Sequence, residues 1–189
     1  MQDKLTEDEK RFLLKIARAA IEARVCGAPE VKLERESLSE TLLGPGAAFV
    51  TITLEGELRG CVGALEAYQP LVDDVIEHGV AAATQDPRFP PLRPDEAARM
   101  RIEISRLTQP EDLSYDTPED LVRRLRPQID GVTIFDGWRR ATFLPQVWEK
   151  LPRAEEFLDH LCYKMGAAPG LWRGRKLRVQ VYQVEEFHE

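Results

Sequence analysis

Ala48-Phe49-Val50-Thr51-Ile52-Thr53-Leu54-Glu55-Gly56-Glu57-Leu58-Arg59-Gly60-Cys61-Val62-Gly63 holds two period-two runs joined by a turn. Ala48, Val50, Ile52 and Leu54 alternate with Phe49, Thr51 and Thr53; after Glu55-Gly56-Glu57, Leu58, Gly60, Val62 and Ala64 alternate with Arg59, Cys61 and Gly63. Successive strand residues face opposite ways, so the spacing predicts a β-hairpin with one aliphatic and one polar face. Pairing Leu54 with Leu58 puts both apolar sets on one side, whereas pairing Leu54 with Glu57 turns Arg59 into it; a one-residue slip inverts every side chain. The first register is expected, with Arg59 and Cys61 beside Thr53 and Thr51 on the face away from the core.

On the N-terminal side, Thr6-Glu7-Asp8-Glu9 is a capping-box pattern, and Phe12, Leu13, Ile16, Ala17, Ala20 and Ile21 recur at helical spacing. This predicts an amphipathic helix to about Val25, closed by Gly27 and Pro29. Residues 30 to 47, with Gly44-Pro45-Gly46, read as an irregular connection. On the C-terminal side, Pro70 opens a helix to about Gln85, stopped by Asp86-Pro87. Asp86-Pro87-Arg88-Phe89-Pro90-Pro91-Leu92-Arg93-Pro94 holds four prolines in nine residues, a stiff loop without repeating structure. Asp95 to Met100 suggests a short helix, Ile102 and Ile104 a strand, and Thr117-Pro118-Glu119-Asp120 a capped helix to about Leu125. Val132 to Phe143 reads as a second hairpin turning on Asp136-Gly137. Pro145 starts a short helix, Ala154 to Met165 is a longer one ended by Gly166, and Leu177 to Tyr182 is a last strand before an acidic tail. Hairpins without regular strand–helix–strand alternation predict an α+β fold, mainly antiparallel sheet with helices packed on it.

The chain has 189 residues, 43% hydrophobic and 31% charged, with a net charge of −7. That length suits one domain. The acidic balance argues against nucleic acid as a partner, because phosphate binding is driven by clustered Lys and Arg. Cys26, Cys61 and Cys162 are far apart and form no CxxC, so neither a disulfide framework nor a zinc knuckle is indicated, and a reducing, cytoplasmic location is expected. No run approaches the ~20 apolar residues of a membrane helix.

Chemistry concentrates in Leu58-Arg59-Gly60-Cys61-Val62-Gly63. A cation on the same strand face favours a thiolate, and Arg59 lies two residues from Cys61. Cys61 is thus a candidate nucleophile with Arg59 as activator; equally, a free Cys is a small hydrophobe at home in a core. Gly60 and Gly63 allow close approach of a ligand or of another backbone. Arg88, Arg59 and Lys164 are candidates to converge on an anionic group, because guanidinium forks match carboxylate and phosphate; Lys164 equally complements its helix dipole. His78, one turn after Asp74, has the spacing of an oriented imidazole but also of an ordinary packed one. His160 and Cys162 point to different sides of a helix, and no metal site is expected. No GxSxG, GxxxxGK[ST], HExxH or strand-linked GxGxxG occurs.

At these residues the chain resembles the AMMECR domain proteins, the AmmeMemoRadiSam system protein A of prokaryotes. The resemblance is carried by Leu58–Gly63, Asp86–Pro91, Glu103-Ile104-Ser105, Asp130-Gly131-Val132, Ala141–Trp148 and Leu161-Cys162-Tyr163-Lys164, in order along most of the chain; Val62 stands where isoleucine is usual. It implies a single domain over 1–189, α+β, with a larger and a smaller lobe and the hexapeptide near the cleft between them. It also implies a system context, with a MEMO-like protein and a radical SAM protein as partners. Two readings follow: an enzyme or enzyme-system component that binds a small anionic or thiol-reactive ligand in that cleft, or a non-catalytic protein that docks one of those partners. The resemblance specifies no cofactor.

Overall fold

The structure is a computed structural model and describes residues 4–30 and 32–189. The chain is α+β, with antiparallel sheets and packed helices, and it divides into two compact units. The first runs to Thr108 and includes Glu185–Glu189; the second is Gln109–Val184.

The first unit begins with α1 (Glu7–Cys26), whose capping box forms as the sequence predicts: Thr6 Oγ1 accepts from the Glu9 N–H, and the Glu9 carboxylate accepts from the Thr6 N–H at 2.7 Å. Gly27 closes it with φ of 67°. The segment read as an irregular connection carries more order than expected, with a 3₁₀ turn at Arg35–Ser37 and a short helix, α2 (Glu40–Leu43), capped by Ser39. Strand β1 (Pro45–Leu54) starts at Pro45 because Pro45 and Gly46 pair with β3 (Gln69–Pro70). It is followed by β2 (Glu57–Gly63), α3 (Leu71–Thr84), α4 (Pro94–Ala97) and β4 (Arg101–Leu107). The acidic tail is a strand, not a tail. It forms β9 (Val184–His188) beside β4, giving the order β2-β1-β4-β9. Phe187 supplies apolar burial, Glu185 pairs with Arg106 at 2.6 Å, and the Glu189 carboxylate pairs with Arg18, so these charges are fixed partners of the unit. Leu13, Ile21, Val50, Ile52, Val72, Val75, Ile102 and Ile104 fill a core between α1, α3 and the aliphatic face of the sheet.

The second unit holds β5 (Glu111–Asp112), α5 (Pro118–Arg124), β6 (Gly131–Asp136), β7 (Arg139–Phe143), α6 (Ala154–Lys164), α7 (Leu171–Gly174) and β8 (Arg178–Tyr182), with sheet order β5-β8-β6-β7. Its hairpin turns one residue later than Asp136-Gly137 suggests. Asp136 pairs with Arg139 in the ladder and also bonds its guanidinium, leaving Gly137-Trp138 as the loop, with φ of 62° at Gly137 alone of the two. A separate core centres on Trp148, stacked on Phe157 at 3.7 Å, with Leu121, Ile134, Leu158 and Leu161.

Candidate functional site

The register of β1 and β2 resolves the two pairings that the sequence offered. Leu54 faces Glu57 and Thr53 faces Leu58, so Glu55-Gly56 is a two-residue loop, with φ of 54° and 87°. The ladder then shifts, Arg59 is the extra residue of a β-bulge, and Ile52 faces Gly60. From there on the pairs are those expected from the apolar pattern, with Thr51 opposite Cys61 and Val50 opposite Val62. The turn therefore follows the register that the sequence reading rejected, and the bulge restores the preferred one before Cys61.

The bulge turns Arg59 away from the Cys61 column. Its guanidinium bonds Glu96 at 3.0 and 3.1 Å and the carbonyls of Pro90 and Pro91 at 2.8 and 3.3 Å, clamping the proline loop to the strand. Arg59 holds the Glu96 carboxyl below its usual range, against the opposing effect of desolvation. Arg88 is the cation that reaches Cys61, its Nη2 bonding the Cys61 backbone carbonyl at 3.2 Å. The Arg88 guanidinium is itself held up by Asp86 first and by Cys61 as a lesser contributor.

Asp86 organises this corner. One oxygen accepts the Cys61 N–H at 2.8 Å and Arg88 Nη2 at 2.6 Å; the other accepts the Arg88 N–H and Nε at 3.1 and 2.9 Å. The Arg88 bonds hold its carboxyl far below the usual carboxylate range, outweighing desolvation. Cys61 is thereby gripped at both its N–H and its C=O, while its half-buried Sγ receives the Thr51 hydroxyl at 3.2 Å. Phe89 lies between the two cations, its ring centroid 5.6 Å from Arg88 Cζ and 6.0 Å from Arg59 Cζ.

Of the two approaches the glycines allow, the structure displays the backbone one. A Cβ on Gly60 would sit 2.1 Å from the Ala82 carbonyl of α3, and one on Gly63 2.5 Å from the Ala48 carbonyl and Phe49 Cα. Lys164 belongs to the second unit, where it donates to the Thr142 carbonyl at 2.9 Å and lies over Phe143. Of the sequence-selected residues, Arg59, Gly60, Cys61, Gly63 and Arg88 share the first unit. Asp86, Glu96 and Thr51 were not selected; the Asp86-x-Arg88 spacing was the available signal for the first. His78 is a packed imidazole, 7% exposed, with Nδ1 3.1 Å from Asp74 Oδ2 at an angle short of an aligned hydrogen bond. Asp74 Oδ2 also accepts the Ala48 N–H at 2.8 Å, which ties α3 to β1. Among the described residues, no group of three or more His, Cys, Asp or Glu side chains is placed to hold a metal.

A family model, AMMECR1, matches residues 14–187. The chain belongs to the AMMECR1 family. A Methanothermobacter thermautotrophicus protein is 40% identical over 98% of this chain and 96% of its own length, and a Methanopyrus kandleri protein is 36% identical over 100% and 92%. The crystal structure of the uncharacterized protein PH0010 from Pyrococcus horikoshii is similar over 99% of this chain and 94% of that one, with a TM-score of 0.78 at 30% identity. AMMECR1 membership agrees with the resemblance carried by the hexapeptide and the proline loop. Among the described residues, no helix is long and apolar enough to cross a membrane.

Proposed function

We propose that this AMMECR1 protein is an enzyme, or a component of an enzyme system, that takes a small thiol-reactive ligand at Cys61. One observation carries the reading: Asp86 and Arg88 fix the Cys61 backbone from both sides while its sulfur stays half-buried beside a hydroxyl donor. A nucleophile gains from fixed geometry, and the Thr51 hydroxyl places a hydrogen-bond donor at the sulfur. Arg88, 54% exposed, is the side chain we assign to the ligand at the rim. Because Arg59 and Arg88 each already carry a carboxylate, a thiol-reactive ligand is favoured over an anionic one. The three free cysteines suit the reducing, cytoplasmic setting that we propose with it.

The test is alkylation of Cys61 by iodoacetamide in a Cys26→Ser, Cys162→Ala background at neutral pH. The folded protein is expected to react at least about tenfold faster than the same chain in urea. Equal or slower reaction when folded overturns the nucleophile.

The second reading, a non-catalytic protein that docks a MEMO-like or radical SAM partner, is favoured by the exposed Leu58, Leu65 and Tyr68 on and just beyond β2. Capture of a purified partner that is lost on Leu58→Glu and indifferent to Cys61→Ser supports it.

A further inference from the structure

Within the second unit, α5, the first turn of α6 and α7 line a cavity of about 410 Å³. Sites for small molecules commonly enclose about 300–1,000 Å³. Its apolar wall is the half-buried Pro118 and Val122 of α5 and the buried Trp172 of α7. Glu119 and Arg123 flank Val122 at the spacing of one helix face, so a single stripe of α5 carries apolar contact and both signs of charge. The other elements repeat that balance, Glu155 coming from α6 and Arg173 from α7.

Arg173 is held in place by its own neighbours. Its guanidinium lies over the Trp172 ring, 4.1 Å from the centroid, and Asp159 Oδ1 accepts both Arg173 Nη1 and Trp172 Nε1 at 2.7 Å. The Nε and Nη2 donors of the fork bond no described residue. The Arg123 side chain is 75% exposed and meets only Asp120, at 3.4 Å, while the half-buried Glu155 has no hydrogen bond or ion pair with any described residue. Both signs of charge are therefore available at the cavity, and one cation is fixed beforehand, which lowers the ordering cost of binding.

We propose that this cavity binds a free α-amino acid with an apolar side chain, its carboxylate met by Arg123 and Arg173, its ammonium by Glu119 and Glu155, and its side chain laid against Pro118, Val122 and Trp172. A simple anion would be drawn to the two guanidinium groups and repelled by the two carboxylates, and a simple cation would meet the reverse; a dipolar ion of zero net charge complements both. A purely apolar compound would desolvate these charged groups and pair none of them. The site does not depend on the role of Cys61.

Calorimetric titration of the full chain tests this with L-phenylalanine, with N-acetyl-L-phenylalanine, which lacks the ammonium, and with L-phenylalaninamide, which lacks the carboxylate. L-Phenylalanine is expected to bind with a Kd below about 1 mM, and each blocked compound at least about tenfold more weakly. Arg123→Gln and Glu155→Gln, neither of them in the core, should each weaken L-phenylalanine about fivefold while the urea midpoint holds. Absence of binding at that concentration, equal binding of either blocked compound, or indifference to either substitution overturns the site. Tighter binding of glycyl-L-phenylalanine than of L-phenylalanine makes the occupant a peptide and overturns the free amino acid.

Discussion

Asp86 was read in the sequence as a helix stop and as the start of the proline loop, yet it is the residue on which the Cys61 corner depends. Its carboxylate is accepted into two roles, as counter-ion to Arg88 and as acceptor for the Cys61 N–H. Its folded-state pKa is depressed, so its contribution to stability is complete above the unfolded value of about 3.9 and is lost as pH falls through the folded one. The urea midpoint of the native protein is therefore expected to fall between pH 5 and pH 3 more steeply than that of Asp86→Asn, which should start lower at pH 7; parallel profiles contradict this. Cys61 itself was legible as a candidate, because a thiol and a cation two residues apart on a strand make a pattern. Which cation bonds its backbone was not legible: a bulge in the ladder makes Arg59 the extra residue, and bulges follow from turn geometry and packing rather than from alternation.

At the scale of elements, the hexapeptide is as much a packing motif as a chemical one. Gly60 lets β2 lie against the carbonyl of Ala82, so Gly60→Ala forces strand and helix apart. About 1–3 kcal/mol of destabilisation is expected in urea denaturation, and a neutral substitution would mean that α3 yields. The proline loop is held from outside by Arg59 and from beneath by the Leu92 N–H on the Ala83 carbonyl at 2.7 Å. Arg59→Lys removes the planar fork that spans Glu96 and two carbonyls; a loss of about 1–2 kcal/mol and faster proteolysis within residues 86–94 should follow. The hairpin, capping box and capped helices were legible because each is written locally. The strand role of residues 184–188 was not: Glu185 and Glu189 read as tail charges until Arg106 and Arg18, far away in sequence, are seen to meet them.

Across the whole molecule, pH acts also through His78. Its pKa is raised by Asp74, against desolvation, with Glu77 adding to the rise, and the Tyr68 ring meets the imidazole edge-on with ring centroids 6.4 Å apart. A raised histidine stabilises fully below its unfolded value of about 6.5, and that stability is lost as pH rises through the folded value. The native protein should therefore lose part of its urea resistance above neutrality, and His78→Gln should flatten that slope; an unchanged slope would assign it elsewhere. The division into two cores was legible only as an implication of family, since nothing in the hydrophobic pattern says which helix serves which sheet. One last consequence concerns self-association. β2 ends the sheet order, and an end strand normally offers its amides to any passing chain. At Cys61 both outward amide groups are already satisfied by Asp86 and Arg88, so that side chain pair does the work of a missing neighbouring strand. Removing it should make the protein pair edge to edge as concentration rises.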